Sequence, residues 1–552
     1  MAEIKPPEEK IITQLEFYSG IHEIGGNKIA IVAGNGKGVL LDFGWAFSIS
    51  RDYLDNFLQF RKYQYLLDSF TIGELPLPKG TLRGIYREDM FLPVVKQLQD
   101  NFHVFPANPS IITDVLISHA HSDHIGEVKC LHPDIHVVCS DITYELVKLM
   151  GDIEASSSIF SNLLEYTSFK ETALPENRKK KNLPKTVRQF SPLKSEKSII
   201  CAENGFEVTF IETDHSLPGA GAFLIRDLIT GIRIVYSGDI RKHGPLHANT
   251  EKFMNIAADF QPDILICEGT RIGRDKTHES SEFASEKEVE KEISRIIKEI
   301  ETNSSLSGDS GYNENMVFFD CSIRDVWRLQ TLYRAAQENN RILVLMPKSF
   351  AYLKKSVDLG IITDVDLSKV RIYIRKQGFG DYCAKDYVQP QVYGKILSKP
   401  PEEMVEKPKW KNIDMEKKEI IKPEEINAHP ADFLIQMPFY KISNLIDIKP
   451  PANSYYILSK SEPFDIEGEI EKKKLQNWLD RFGIYDDGIH IRQAHCSGHA
   501  SPKDLKEIIE TIHPKFLFPV HTENPEKFSE LGLSADIKII SPKKSKKYHF
   551  HH

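Results

Sequence analysis

Residues 118–126 read Ser-His-Ala-His-Ser-Asp-His-Ile-Gly and end an apolar run that starts at residue 114. Three histidines and one aspartate therefore lie within the six residues 119–124. Imidazole and carboxylate groups suit Zn²⁺, and Mn²⁺ where carboxylates contribute more. A tight loop after a strand can direct His119 and His121 to one metal ion, and Asp123 and His124 to a second. The stretch contains no cysteine, so it predicts a catalytic two-metal centre and not a structural zinc finger.

Four side chains cannot complete two metal sites, so further ligands are expected at the ends of other strands. Three candidates follow apolar runs: His215 in Thr-Asp-His-Ser-Leu-Pro, Asp239 in Tyr-Ser-Gly-Asp, and His521 in Phe-Pro-Val-His. Taken alone, each is more often a hydrogen-bonded polar residue or a cap than a ligand. Because they occur in this order after the histidine stretch, the three are interpreted together as further ligands of the same centre.

The composition is that of an ordinary globular protein. Of 552 residues, 41% are apolar and 27% charged, and 71 Lys and Arg against 79 Asp and Glu give a formal net charge of −8. No run approaches the roughly 18 apolar residues that a membrane span needs. Seven cysteines without a CxxC pair fit a reducing compartment. We expect a cytoplasmic protein without a membrane partner, and the acidic balance by itself argues against a nucleic-acid binder, a class that is usually basic.

The pattern of apolar runs changes along the chain. Up to about residue 275 it predicts short strands and Gly-rich turns, among them a hairpin turn at 34–38, and one helical stretch at 52–66. The next 200 residues begin as a βαβ pattern, which is typical of a parallel α/β unit. The end of the chain resembles the first 275 residues in its pattern of apolar runs, with a predicted helix at 503–513 and a predicted strand at 516–520. A basic cluster at 178–181 is predicted to be solvated surface.

In their order along the chain, these motifs resemble the metallo-β-lactamase fold, a four-layer αββα sandwich that holds two metal ions at one edge. The resemblance rests on Asp42 at the end of a strand, on the histidine stretch, and on the three later candidates. It gives Asp42 a structural role beneath the histidine loop. The ligands that it implies are His119, His121 and His215 for the first ion, Asp123, His124 and His521 for the second, and Asp239 as the bridge.

A separation of 282 residues between Asp239 and His521 requires an inserted domain. This arrangement resembles the β-CASP nucleases, whose additional acidic and histidine motifs match Glu268 and His499. The resemblance divides the chain into four parts. They are a first metallo-β-lactamase segment (1–275), an inserted β-CASP α/β domain (276–484), a second metallo-β-lactamase segment (485–548) and a tail (549–552).

Within the β-CASP group the sequence is most similar to RNase J. The similarity rests on Glu-Ile-Gly-Gly-Asn at 23–27, on His-Ser-Leu-Pro-Gly at 215–219, and on Ser-Gly-His-Ala paired with Pro-Val-His. The Gly-rich phosphate-binding segment of RNase J is replaced by Leu-Ser-Lys-Ser-Glu-Pro at 458–463. The candidate substrate-binding residues are therefore Ser459, Ser461 and Ser497. Since 31 residues follow His521, too few for the C-terminal domain with which many RNase J proteins dimerise, a homodimer stays open.

The resemblance implies a ribonuclease that cleaves single-stranded RNA, as an endonuclease, a 5′-to-3′ exonuclease or both. Two divalent ions, Zn²⁺ or alternatively Mn²⁺, would activate a hydroxide held by Asp123 and Asp239. His499, oriented by Glu268, would contact the scissile phosphate or protonate the leaving group, a task that suits the ordinary pKa of an imidazole.

Three alternatives stay open. A hydrolase of a small ester or thioester needs neither the insertion nor the pair Glu268 and His499. A DNA substrate is not distinguished by any motif, because the choice depends on contacts to the 2′-hydroxyl. A non-catalytic RNA-processing subunit is disfavoured because all seven ligand positions are filled. Arg271 and Arg274 are equally well interpreted as phosphate ligands or as surface residues.

Overall fold

The computed structural model describes residues 12–55, 57–104, 109–153, 162–173, 183–201, 204–273, 283–306, 315–376, 420–452, 454–461 and 466–551. The chain divides into two compact units. Unit 1 comprises Met1–Lys242, Leu246–Gly273 and His499–His552, and unit 2 comprises His243–Pro245 and Arg274–Gly498. Within the described ranges, no helix combines the length and the apolar character that crossing a bilayer requires.

Unit 1 is built on two seven-stranded sheets. The strands of the first sheet are, in spatial order, Lys547–Phe550, Thr13–Ser19, Lys28–Val32, Gly38–Leu41, Ile112–Leu116, His136–Ser140 and Phe190–Leu193. Those of the second are Lys538–Ile539, Phe516–Val520, Ile264–Glu268, Arg233–Tyr236, Gly221–Asp227, Phe206–Glu212 and Lys197–Cys201. The short strands Glu165–Tyr166 and Thr186–Val187 pair separately.

Alternating side chains place the two sheets in the middle of four layers. Along Ile264–Glu268, Ile264 and Ile266 belong to a core shared with the first sheet, whereas Leu265 and Cys267 belong to a core shared with helices. This alternation is expected of a strand that is covered on both faces. The helices His247–Phe260 and Pro502–Ile512 cover the second sheet and pack on each other. The predicted αββα sandwich is confirmed.

The remaining described α-helices of unit 1 are Phe47–Tyr53, Tyr65–Ile72, Glu88–Phe91, Val95–Phe102, Ser122–Ile125, Asp141–Ile153 and Phe169–Ala173. The mixed helical stretch predicted at 52–66 is helical only in part. The side chain of Asp55 accepts hydrogen bonds from the backbone N–H groups of Phe57 (2.6 Å) and Leu58 (2.5 Å). Such a local bond offers the backbone an alternative to the helix, and the second helix begins only at residue 65.

The predicted hairpin at 34–38 is confirmed, because Lys28–Val32 and Gly38–Leu41 pair antiparallel around a turn. The predicted tail at 549–552 is wrong at its start, since Lys547–Phe550 pairs with Thr13–Ser19 and places His549 opposite Gln14. The basic cluster at 178–181 lies outside the described residues.

Strand direction brings the predicted site residues to one edge. In the second sheet, Arg233–Tyr236, Ile264–Glu268 and Phe516–Val520 run parallel. Phe206–Glu212 shares their direction, because both it and Arg233–Tyr236 run antiparallel to Gly221–Asp227. In the first sheet, Gly38–Leu41 and Ile112–Leu116 are parallel. The residues at or just beyond the carboxyl ends of these strands are Asp42, His119, His215, Asp239, Glu268 and His521.

Unit 2 contains a seven-stranded parallel sheet. Its strands are, in spatial order, Ile420–Ile421, Val370–Tyr373, Ile342–Leu345, Phe433–Gln436, Val317–Asp320, Tyr455–Leu458 and Ile491–Gln493. Its described α-helices are Glu286–Leu306, Val326–Glu338, Pro347–Asp358, Pro423–Ala428, Leu445–Ile448 and Ile466–Arg481. The predicted parallel α/β unit is confirmed.

The sequence-based boundaries differ from the structural ones at one end. Strand Ile491–Gln493 pairs with Tyr455–Leu458, so residues 485–498 belong to unit 2, whereas the sequence analysis assigned them to the second metallo-β-lactamase segment. The three-residue strand is too short to produce an apolar pattern of its own. At the other end, the unit 1 segment extends to Gly273, beside the predicted 275/276 boundary.

Candidate metal centre

Asp42 anchors the histidine loop. Its carboxylate is fully buried and accepts hydrogen bonds from the backbone N–H of Ser118 (2.7 Å), the hydroxyl of Ser118 (2.8 Å) and the hydroxyl of Tyr236 (2.5 Å). It also lies 2.7 Å from Nδ1 of His124. A carboxylate can only accept, so Nδ1 of His124 donates and Nε2 is directed away from Asp42. The structure places Asp42 where the sequence analysis predicted a structural anchor.

The first group of candidate ligands consists of His119, His121, His215 and Asp239. Their ligand atoms all lie within 4.8 Å of one another. Nδ1 of His121 is 2.9 Å from Nε2 of His119 and 3.1 Å from Nε2 of His215. Burial lowers the pKa values of His119 and His215 well below the ordinary range, so both imidazoles are neutral and offer a lone pair at neutral pH.

The second group consists of Asp123, His124, Asp239 and His521, again with ligand atoms within 4.8 Å. Nε2 of His521 is 3.2 Å from Asp123 Oδ2, and Nε2 of His124 is 3.3 Å from Asp239 Oδ2. Nδ1 of His521 lies 2.9 Å from the hydroxyl of Thr270, which fixes the ring orientation. Asp239 is the residue that the two groups share.

Two observations test whether these residues fit a metal ion. Nε2 of His124 and Oδ1 of Asp239 are buried without a hydrogen-bond partner in the described part of the chain. Moreover, burial lowers the pKa of His124, but the carboxylates of Asp239, Asp123 and Asp42 outweigh it and hold that pKa well above its ordinary value. The second group therefore attracts positive charge, and both observations fit metal binding.

His499 lies beside both groups. Its ring centroid is 5.1 Å from that of His215 and 5.7 Å from that of His521. Nδ1 of His499 lies 3.2 Å from Glu268 Oε1, and Glu268 also accepts the backbone N–H groups of Ile240 (3.2 Å) and Thr270 (2.9 Å). Burial raises the pKa of Glu268, but His499 outweighs it and lowers that pKa overall. Glu268 is thus an ionised acceptor held by the backbone.

The chain is similar to known metallo-hydrolases and ribonucleases. Residues 489–542 match the family described as the Zn-dependent metallo-hydrolase RNA specificity domain. Over 479 residues, 84% of this chain and 66% of the relative, the chain is 21% identical to Ribonuclease J 1 of Streptococcus pyogenes serotype M3. It is 22% identical over 470 residues to Ribonuclease J of Thermus thermophilus, covering 84% and 65%. The chain is similar to RNase J proteins over most of its length.

Two further facts define this relationship. The RNase J-like chain spans slightly less than two thirds of the length of these curated relatives. Its fold is shared with a protein of unknown function from Enterococcus faecalis V583, whose crystal structure matches with a TM-score of 0.64 at 21% identity and covers 98% of this chain and 100% of that one.

The Glu-Ile-Gly-Gly-Asn motif of the RNase J-like chain has a physical role at the centre. Gly25 has a φ of +80°, and a Cβ at this position would lie 2.7 Å from Oδ2 of Asp123. Gly44 approaches even more closely, since its Cβ would meet the carbonyl oxygen of Asp123. Only glycine permits this approach of two backbone segments to the second ligand group.

The three predicted substrate-binding serines of the RNase J-like chain lie in unit 2. Ser459 is buried, its hydroxyl donates to the carbonyl oxygen of Ala494 (2.6 Å) and accepts from Arg328 (2.7 Å). The hydroxyl of Ser459 is thus occupied by partners within unit 2, and its role in substrate binding stays a prediction. Ser497 is also buried, whereas Ser461 is exposed, and both stay predictions. Arg274 lies outside the described residues.

Sequence reasoning missed three residues around the ligands of this RNase J-like centre. They are Tyr236, whose hydroxyl bonds Asp42, Asn27, whose Nδ2 donates to that hydroxyl (2.9 Å), and Thr270 beside His521. A tyrosine at the end of an apolar run is indistinguishable from a core residue. Only Asn27 could have been suspected from the sequence, because it ends the Glu-Ile-Gly-Gly-Asn motif.

Proposed function

We propose that this RNase J-like chain hydrolyses phosphodiester bonds of single-stranded RNA. The observation that carries the proposal is the placement of His499, held by Glu268, beside two ligand groups that share Asp239. The side chain of His499 is 21% exposed, whereas Glu268 is 1% exposed, so the histidine can reach a substrate while its partner cannot. The relatives named Ribonuclease J and the match to an RNA specificity domain support RNA as the substrate.

Each ligand group would hold one divalent cation, Zn²⁺ or Mn²⁺, with Asp239 between them. Bound cations would supply Lewis-acid stabilisation of the phosphate and a nucleophile near neutral pH. Burial raises the pKa of Asp123, but His124 and His521 hold it well below its usual range. Asp123 would therefore stay ionised and accept a hydrogen bond from the attacking water.

His499 would provide the proton for the leaving oxygen. Its Nδ1 faces Glu268, so proton transfer to the substrate would use Nε2. The ionised Glu268 would hold the imidazole in one orientation and stabilise its charged form, which is the general role of a carboxylate behind a catalytic histidine. Removal of such a proton donor typically slows a reaction by about 10²–10⁴-fold.

The test is cleavage of 5′-labelled single-stranded RNA by purified wild type, His499→Ala and Asp123→Ala, with metal content measured on each. We expect His499→Ala to retain metal and lose turnover, and Asp123→Ala to lose both. His513→Ala is the matched control, because His513 follows helix Pro502–Ile512 and its ring pairs with Asp536 at 2.8 Å. Cleavage by Asp123→Ala at the wild-type rate would refute the proposal, and so would wild-type cleavage of DNA or a thioester without cleavage of RNA.

The same labelled substrate distinguishes the modes of cleavage. RNAs with a 5′-monophosphate and a 5′-triphosphate are followed over time. Early release of labelled mononucleotide indicates 5′-to-3′ exonuclease action, and labelled fragments of intermediate length indicate endonuclease action. Sedimentation of the same preparation tests the homodimer.

A further inference from the structure

His22 lies on the loop that follows strand Thr13–Ser19. This strand ends at the same edge as Asp42, because both it and Gly38–Leu41 run antiparallel to Lys28–Val32. His22 is exposed and has a φ of +54°. The left-handed region is unfavourable for residues with a Cβ, although histidine tolerates it better than most.

The backbone on both sides of His22 is bonded to His521, a residue of the second ligand group, and to its neighbour Thr522. The carbonyl oxygen of Gly20 accepts the N–H of His521 at 2.9 Å, and Glu23 forms an antiparallel bridge with Thr522. The carboxylate of Glu23 in turn accepts the N–H of Gly20 (2.9 Å) and the hydroxyl of Ser48 (2.5 Å). These bonds prevent the loop from relaxing, so the left-handed conformation of His22 persists.

Four of the ten other described non-glycine residues with positive φ have a simple structural cause. Among the residues other than glycine with positive φ, His103, Gln261, Lys449 and His513 each follow the last residue of a helix, where the left-handed conformation is common. His22 ends no helix. Glycine would adopt this conformation without strain, so the chain keeps an exposed histidine in a strained backbone conformation, on a loop that is bonded to His521. Such strain points to a functional constraint.

We propose that His22 is a substrate-binding residue of this centre. An N–H of its imidazole would donate a hydrogen bond to a non-bridging phosphate oxygen of the RNA strand. This inference rests on the proposed ribonuclease function and adds to it a contact that none of the metal ligands provides. A histidine is suited to the contact because its ring offers a donor in both protonation states.

Four variants test the proposal: His22→Asn, His22→Gly, His22→Phe and the control His103→Gly. Asparagine tolerates the left-handed region and keeps an N–H donor, glycine removes the side chain, and phenylalanine keeps a ring without a donor. His103 has nearly the same φ (+51°), is exposed, and ends the helix Val95–Phe102. Each protein is loaded with metal, and its metal content, Tm, kcat and KM on single-stranded RNA are measured.

We expect kcat/KM to fall about ten-fold or more in His22→Gly and His22→Phe. The loss should appear mainly in KM, with wild-type metal content and, for His22→Gly, a Tm no lower than that of the wild type. His22→Asn should stay closer to the wild type, and His103→Gly should match its kinetics. If kcat/KM of both His22→Gly and His22→Phe is within two-fold of the wild-type value, the proposal is overturned.

Two other outcomes are informative. Loss of activity in His22→Gly together with full activity in His22→Phe would indicate ring stacking and overturn the phosphate contact. A wild-type protein that does not cleave RNA would refute the proposed function before any variant is compared. Failure of that function is therefore distinguishable from failure of the His22 contact.

Discussion

Asp42→Asn is the substitution whose effect can be worked out most fully from the structure. Asp42 has a φ of +51°, which asparagine tolerates nearly as well as aspartate does. The two side chains have the same shape, so the substitution creates no cavity. The substitution removes the negative charge and converts one acceptor atom into a donor.

The magnitude follows from the bonds of the carboxylate. Oδ1 accepts the N–H of Ser118, and Oδ2 lies within 2.8 Å of three further groups, on Ser118, His124 and Tyr236. An amide has one acceptor oxygen, so at least one buried donor loses its partner, at a cost of about 1–3 kcal/mol. Loss of the charged acceptor for His124 adds about 1.5–3 kcal/mol. We expect the free energy of unfolding to fall by roughly 3–5 kcal/mol and the metal affinity to fall by about 10–100-fold.

Urea unfolding of the metal-free protein and calorimetric titration with Zn²⁺ measure the two effects separately. Asp227→Asn is the matched control, because Asp227 is also fully buried and accepts Thr13 Oγ1 (2.6 Å) and the N–H of Ile229 (2.9 Å). It lies at the far end of strand Gly221–Asp227, about 20 Å from the centre. The control should lose stability and keep its metal affinity. Unchanged zinc affinity in Asp42→Asn would show that Asp42 does not orient His124.

Three further predictions follow. Gly25→Ala should displace Asp123 and reduce metal binding and activity, whereas Gly36→Ala, with a similar φ of +78° and open space around its Cβ, should lose only about 1–2 kcal/mol of stability; equal zinc titrations for both would contradict this. Burial raises the pKa of Glu74 to about 7, so the folded state binds a proton that the unfolded state releases. As the pH rises from 5 to 8, the free energy of unfolding of the wild type should therefore fall by up to about 3 kcal/mol relative to that of Glu74→Gln. Urea unfolding at both pH values checks the sign. Tyr236→Phe should weaken zinc binding less than Asp42→Asn does, because three of the four donors to that carboxylate stay.

The ligand positions were predictable because of how strands converge. Side chains at the carboxyl ends of parallel strands meet at one edge, so polar residues that end apolar runs can be grouped from the sequence. This explains why His119, His215 and Asp239 come together although the chain separates them by 120 residues. The same rule places Glu268 at the centre, since it is the last residue of strand Ile264–Glu268.

The features that the sequence does not reveal have no periodic signal. Whether Ser459 faces a substrate or the core depends on Arg328, a residue 131 positions away whose side chain is fully buried. The boundary at Gly498 depends on the three-residue strand Ile491–Gln493. The helix predicted at 52–66 is interrupted by bonds of a single side chain, that of Asp55. In each case a specific contact overrides the local pattern.

Backbone strain supplies information about the site that composition and spacing cannot. Asp42 and His521 both have a φ of +51°, and both directly follow strands that end at the centre. His22, with a φ of +54°, follows a third such strand. Left-handed conformation costs roughly 1–2 kcal/mol per residue, so three strained residues around one ligand cluster lower the stability of the fold without improving its packing. Strain of this kind persists where the surrounding structure fixes it, and these three positions lie at the same edge of the sandwich as the histidine motif.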